Sequence, residues 1–262
     1  MHGKGNKMKF VGHRGESQAA PENSLESFAL AWARGVKCVE GDFHLTGDEV
    51  IVCMHDGNAK RTCGVDRQLA EMTLAEVKDL DCGRLKSPAW KFTRVPTLEE
   101  ILRIMPEDGE IFIELKSAGR ILDKMEELFA RAGRRPEQLT FIAFAPDVIA
   151  AAKKRFPAHQ AYWLYTNGLE APGDHPPYLL SPDELVAKLQ ELGVDGIDAG
   201  LQPERRPASG EYIDALHRAG LSCNVWVVDE PAAAAHLIEL GVDSITTNRA
   251  YALKRELDCG TF

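Results

Sequence analysis

Several things are missing from this chain of 262 residues, and each absence narrows what it can be. No apolar run approaches the ~20 residues that a membrane-crossing helix needs, so no integral membrane segment is expected. No secretory signal is visible either, although one removed in processing would leave no trace. The six cysteines, Cys38, Cys53, Cys63, Cys82, Cys223 and Cys259, form no C-x-x-C pair, which speaks against a zinc knuckle. No G-x-G-x-x-G follows the first apolar run, which weakens a dinucleotide-binding reading. Positive charge is also short. Lys and Arg number 31 against 40 Asp and Glu, a formal charge of −9, and a nucleic-acid partner would reward a basic surface. A small anionic substrate remains compatible, because a local cluster of cations can work inside an acidic protein.

The rest of the composition, 44% hydrophobic and 27% charged, is that of an ordinary globular chain. It is long enough to bury a core without metal or disulfide staples. Cys38, Cys53 and Cys223 fall in strand-like runs, where a free thiol behaves as a small hydrophobe. Cys63 and Cys82 share one irregular segment and could pair in an oxidising compartment, but reduced thiols and a cytoplasmic placement are the expectation. The opening residues 1–8, Gly-rich and basic, read as a tag or leader.

Periodicity alternates short β-branched or aromatic runs with longer amphipathic ones. Strands are expected over 9–12, 38–43, 51–54, 110–115, 139–144, 160–164, 196–198, 222–228 and 244–247. Helices are expected over 24–34, 98–105, 120–132, 147–156, 182–192, 211–219 and 231–240. Gly35, Gly193, Gly220 and Gly241 each follow a helical run, the usual place for a left-handed closing residue. If the 51–54 run is a hairpin partner of the strand before it, eight strands alternate with helices. That pattern favours a closed (β/α)8 TIM-type barrel in one domain, 1–262, over an open doubly wound sheet. Residues 56–96 break the rhythm as a long polar excursion with one clear helix near 74–80, as expected of an inserted cap segment over the active face.

The candidate chemistry collects at predicted strand ends. Glu40 and Asp42 alternate on one strand and so share a face, and Glu114 with Lys116 repeats the spacing on the next. Two carboxylates in a dry interior repel unless a cation joins them; at an exposed strand end they would be ordinary ion-pair partners. The barrel places strand ends at the reactive mouth, and all-oxygen coordination suits one Mg²⁺ or Ca²⁺ ion rather than zinc. His13 and His55 also end strands beside the charged neighbours Arg14 and Asp56, which favours acid/base work over a structural hydrogen bond. His2, His159, His175, His217 and His236 read as surface residues, and His44 is left without a role. Trp226 is either a core aromatic or a wall of the substrate pocket.

Taken in order, H-R-G (13–15), P-E-N-S (21–24), E-G-D (40–42), H-D (55–56), R-T (61–62), P-T-L-E-E (96–100), E-L-K (114–116) and V-W-V-V-D (225–229) resemble the glycerophosphodiester phosphodiesterases over about residues 10–249. The resemblance implies hydrolysis of a small-molecule glycerophosphodiester, such as glycerophosphocholine or glycerophosphoethanolamine, to glycerol 3-phosphate and an alcohol. It implies His13 and His55 as the acid/base pair, and Glu40, Asp42 and Glu114 as ligands of the divalent cation. Arg14 and Lys116 would grip phosphate, and Trp226 would line the pocket. Three places depart from the family pattern: Ala143-Phe144 stands for Ser-Phe, Val227 for Thr, and Thr247-Asn248-Arg249-Ala250 for T-D-x-P. The departures touch the pocket wall and last strand, and so bear on substrate preference. The rival readings are a related lipid phosphodiesterase of the lysophospholipase D or sphingomyelinase D kind, for which the excursion offers Trp90 and Phe92, and a non-catalytic binder of phosphate ligands.

Overall fold

The computed structural model describes residues 8–116, 119–166, 178–200 and 209–260. The expectation of a tag or leader over residues 1–8 falls, but for Met8, outside the described residues, as do those for His2 and His175. Among the described residues, nine strands run in chain order as β1 (Lys9–Gly12), β2 (Cys38–Leu45), β3 (Ile51–Cys53), β4 (Glu110–Leu115) and β5 (Leu139–Ala143), then β6 (Ala161–Tyr165), β7 (Gly196–Gly200), β8 (Ser222–Trp226) and β9 (Ser244–Thr247). Between and after them come α1 (Leu25–Ala33), α2 (Lys60–Cys63), α3 (Leu74–Asp79), α4 (Leu98–Ile104) and α5 (Arg120–Ala132). The second half carries α6 (Pro146–Arg155), α7 (Pro182–Leu192), α8 (Gly210–Arg218), α9 (Pro231–Leu240) and α10 (Ala250–Cys259).

Eight strands are parallel and close on themselves, because β1 pairs with both β2 and β9. The ninth, β3, is antiparallel to β2 and lies outside the ring, which is the hairpin the sequence suggested. The fold is a TIM-type barrel. Its outer core lies between barrel and helices, where Phe28, Phe43, Ile101, Ile113, Phe141 and Trp163 are buried. Each such side chain contributes about 1.5–3 kcal/mol by leaving water. Inside the ring, Val11, Cys38, Phe112, Ile142, Tyr162 and Leu164 form an apolar plug. Residues two further along the same strands, beginning with Glu40 and Glu114, stand above that plug, so strand alternation itself delivers polar groups to the mouth.

Local sequence explains the helix ends. Ser24, Thr97 and Ser181 each accept a hydrogen bond from the third helical residue and start α1, α4 and α7. Gly193 and Gly241 close α7 and α9 at φ +68° and +91°, conformations that a side chain would strain. Residues 56–96 are more ordered than the single helix read from the sequence. They contain α2 and two 3₁₀ turns besides α3, and Ala59, Cys63, Leu69, Met72, Val77 and Cys82 build a small core of their own. All six cysteines are free.

Several sequence expectations shift. β2 runs on to Leu45 because its end pairs with β3, whereas β8 stops at Trp226, two residues short of the apolar run's end. The last helix, α10, had no sequence signal at its start: Arg249 occupies the cap position and makes no side-chain cap bond. His159 is half-buried rather than a free surface residue. Its ring packs among Phe129, Phe141 and Phe156, at centroid distances of 5.4–5.7 Å. No helix among the described residues is long and apolar enough to cross a membrane.

Candidate active site

Three carboxylates meet where the strand alternation sends them. Asp42 on β2 pairs in register with Glu114 on β4, and Glu40 lies two residues earlier on the same face of β2. One oxygen from each lies within 4.8 Å of the others, and all three side chains are buried. Glu40 Oε2 accepts the Arg14 backbone N–H at 2.9 Å, while its Oε1 has no partner among the described residues. Asp42 Oδ2 accepts from Asn23 Nδ2 at 2.7 Å, and Lys116 Nζ lies 2.8 Å from Asp42 Oδ1 while also bonding Glu114.

Charge balance at this point is incomplete. Burial first, and then the neighbouring Asp42 and Glu114 charges, push the Glu40 carboxyl well above its usual range. Burial and Asp42 likewise raise Glu114 to about 8, against the pull of Lys116. Asp42 goes the other way: burial opposes its charge, but Lys116 and Arg14 together hold its carboxyl far below the usual range. A buried carboxylate oxygen without a donor, beside two further buried carboxylates, is what a hard divalent cation would satisfy. The donor set therefore fits Mg²⁺ or Ca²⁺, with Glu40, Asp42 and Glu114 as the residues that would hold it.

The loop after β1 brings the first histidine and Arg14 to the trio. Arg14 itself adopts φ +56°, and Gly15 follows at φ +84°. A side chain at Gly15 would meet the Ser27 side chain at 2.4 Å, so this turn admits only glycine. The turn aims the Arg14 N–H at Glu40 and carries its guanidinium to Glu22 Oε1 (2.9 Å) and near Asp42 Oδ2 (3.4 Å). His13 Nδ1 lies 2.7 Å from Asn248 Oδ1, and Asn248 Nδ2 donates to Asp229 Oδ2 at 2.7 Å. That network orients the amide so that its oxygen meets His13, which puts the imidazole proton on Nδ1. Nε2 is then free to face the site, 4.0 Å from Glu40 Oε2.

His55 is held by the same device with a different partner. Its Nδ1 lies 2.6 Å from Asp56 Oδ1, which again leaves Nε2 unprotonated and free. Asp56 is fixed by Arg61, whose guanidinium also forks Glu22 at 2.7 and 3.0 Å. Glu22 in turn accepts from Arg14, so one chain of ion pairs links both histidines' loops. Burial, followed by the Arg14 charge, lowers His13 to about 4, and burial also lowers His55. Both imidazoles are therefore predominantly neutral near pH 7. Beside this chain a cavity of about 200 Å³ opens between Ser17, Glu22, Arg61, Leu85 and Lys86.

Six of the eight residues singled out from sequence, His13, Arg14, Glu40, Asp42, Glu114 and Lys116, are joined by direct contacts, and His55 is linked to them through Asp56, Arg61 and Glu22. Trp226 ends β8, the strand opposite β4 in the ring. Its indole N–H donates to the Asp198 carbonyl at 3.0 Å, and its ring meets Phe144 edge-on at 5.7 Å. It is half-buried and packs against the interior cluster. Sequence reasoning missed Glu22, Asn23, Arg61, Asp229 and Asn248 as site residues, although each lies within a quoted motif or departure. His44 Nε2 approaches the His55 carbonyl at 3.1 Å, which gives it a supporting place beside the site.

Comparison with known proteins agrees with this fold. The family model described as the glycerophosphoryl diester phosphodiesterase family matches residues 13–252. A glycerophosphodiester phosphodiesterase of Caldanaerobacter subterraneus subsp. tengcongensis is 26% identical over 246 residues, covering 92% of this chain and 94% of that protein. One from Bacillus subtilis is 26% identical, covering 91% and 82%. Among solved structures, an Oleispira antarctica phosphodiesterase in complex with the product sn-glycerol-3-phosphate superposes with a TM-score of 0.80 at 23% identity, covering 95% of this chain and 96% of that one. A glycerophosphodiester phosphodiesterase from Agrobacterium tumefaciens gives 0.77 at 23%, covering 95% and 100%. With the barrel and the ordered motifs already in place, the match across nearly all of the chain means that it belongs to the glycerophosphoryl diester phosphodiesterase family of hydrolases.

Proposed function

We propose that this protein hydrolyses glycerophosphodiesters to sn-glycerol 3-phosphate and an alcohol, with one divalent cation and with His13 and His55 as the acid/base pair. The observation that carries the reading is the buried trio Glu40, Asp42 and Glu114, with the unpartnered Glu40 Oε1, set beside two imidazoles whose Nδ1 atoms are both tied back. When bound, Mg²⁺ or Ca²⁺ would supply Lewis-acid stabilisation of the phosphate oxygens. Arg14 and Lys116 add fixed positive charge at the same place, so the charge that develops on phosphorus-bound oxygen meets preorganised cations.

Each Nε2 is the ring atom left to move a proton. One imidazole takes the proton of the nucleophile, which is water or the substrate's neighbouring glycerol hydroxyl. The other enters the reaction in its protonated form, the minority form near pH 7, and gives its Nε2 proton to the leaving oxygen as the P–O bond breaks. Trp226 serves as a pocket wall for the organic part of the substrate. Residues 56–96 act as a cap within one barrel domain, holding Asp56 and Arg61 against the β1 loop. A cytoplasmic location belongs to the same proposal and is checked by fractionating the native cell.

Release of glycerol 3-phosphate from a panel of glycerophosphodiesters, with Mg²⁺, with Ca²⁺ and with chelator, tests the reaction and the cation together. His13→Ala and His55→Ala each lower turnover by about 10²–10⁴-fold with the fold intact. Turnover that survives chelation removes the cation from the proposal, and near-normal activity in either alanine variant removes that histidine.

A further inference from the structure

Residues 84–94 carry Arg84, Lys86, Lys91 and Arg94 and not a single acidic residue, in a protein whose net charge is −9. All four cations are exposed, and none of them forms an ion pair with a carboxylate among the described residues. Three of them donate to backbone carbonyls: Arg84 to Cys63 at 3.3 Å, Lys86 to Ser17 at 2.7 Å, and Arg94 to Asp79 and Leu80 at 2.7 and 3.1 Å. The nearest acid in sequence, Asp81, is occupied by the backbone N–H groups of Gly83, Arg84 and Phe92. Asp81 offsets part of the Arg84 charge, and the segment still presents a surplus of positive charge to solvent.

The same eleven residues hold the apolar half of an interfacial surface. Leu85 is 57% exposed and Phe92 66%, two of the four large hydrophobic side chains that are exposed among the described residues. Phe92 stands at φ +75°, a left-handed conformation that costs a non-glycine residue energy, and the Asp81 carboxylate pins its N–H at 2.9 Å. Packing does not account for a strained backbone that turns a mostly exposed phenyl ring outward, with the Lys91 ammonium 4.7 Å from its centroid. Trp90 lies half-buried two residues before it. Cations interleaved with aromatic and aliphatic side chains match the headgroup region of a bilayer, where charge and apolar surface are both satisfied. The patch also borders the site: Leu85 and Lys86 line the cavity shared with Glu22 and Arg61, and Lys86 ties down Ser17.

We propose that residues 84–94 dock the protein on an anionic lipid surface, with the mouth of the barrel turned toward the membrane edge. The overall negative charge favours this one orientation, because only charges within about 10 Å of the bilayer feel it unscreened. The inference does not rest on the hydrolytic reading, since adsorption needs neither the cation nor turnover.

Flotation of the full-length protein with phosphatidylcholine vesicles, with and without phosphatidylglycerol, tests it. Wild type floats only with the phosphatidylglycerol-containing vesicles and is released by salt. Lys91→Glu reverses one charge and weakens binding at least about fivefold. Phe92→Asn, which tolerates the left-handed backbone, weakens it independently, and both variants keep wild-type circular dichroism and glycerophosphodiester turnover. Absence of flotation at low salt overturns the proposal. So does equal flotation with pure phosphatidylcholine, or binding that neither substitution changes. Salt-sensitive self-association without flotation, dispersed by Lys91→Glu, would overturn it in favour of a second copy as the occupant.

Discussion

Asp198 offers a test of how this barrel treats charge away from the carboxylate trio. It lies on β7 with its side chain inside the ring, in register with Leu164 and Asn224, and is 1% exposed. Its Oδ1 has no hydrogen-bond partner among the described residues, because Asn224 is turned to the Ile197 carbonyl and to Ser244. Burial alone raises its carboxyl from the usual 3.8 to about 7. With the folded value above the unfolded one, the group lends stability that is fully present below pH 3.8 and is lost as pH rises through 7. Asp198→Asn keeps the shape of the neutral acid and titrates nothing. Between pH 5 and pH 8 the wild type therefore loses about 3 kcal/mol that the variant keeps, from roughly two pKa units at 1.36 kcal/mol each. For a chain of this length that is roughly 6–12 °C in melting temperature. Urea unfolding of both proteins at the two pH values, in chelator, reads the difference directly. Glu40 and Glu114 are present in both proteins and cancel, as does any fixed cost of the amide. A stability gap that changes by less than about 0.5 kcal/mol between the two pH values would refute a charge-excluding environment at Asp198.

Asn248→Ala removes the His13 anchor together with the side-chain bonds to Ser17 and Asp229, while Asp229 keeps its bonds from the Asn248 backbone N–H and Thr247. The fold survives, and kcat falls about 10–100-fold with little change in KM as the His13 ring loses its fixed tautomer. Steady-state kinetics decide it, and a kcat within about twofold of wild type would show that the amide does not position His13. Glu114→Gln replaces a carboxyl that burial keeps largely protonated at pH 7 in the absence of metal, so the chelated variant melts close to wild type. What it loses is the cation: wild type gains about 2.7 kcal/mol at a hundredfold excess of Mg²⁺ or Ca²⁺ over Kd, and the variant gains little. A full metal-induced shift in the variant would remove Glu114 from the ligand set.

The parts of the site that were legible in the sequence are those that local periodicity decides. A period of two puts Glu40 and Asp42 on one face whatever lies around them, and the strand ends then gather His13, Glu114 and Lys116 at the same mouth. The groups that hold the reactive ones were less legible. Asn248 meets His13 across 235 residues, and Arg61 reaches Glu22 across 39. No spacing in the chain encodes such a meeting, because ring closure between β1 and β9 and the folding of residues 56–96 create it. The same logic explains the misplaced elements. The apolar pattern that suggested strand to residue 228 runs past Trp226, where β8 ends, yet beyond it the Val228 N–H still reaches the Thr246 carbonyl of β9, a partner that local pattern does not name. The two histidines also show why chain neighbours and spatial neighbours divide the work differently. His55 carries its orienting carboxylate one residue away and could be read from the dipeptide. His13 has an arginine beside it in sequence and receives its orienting group from the far end of the chain. A carboxylate partner on one imidazole and an amide on the other make the pair chemically unequal, although the two appear in the sequence as equivalent strand-end histidines.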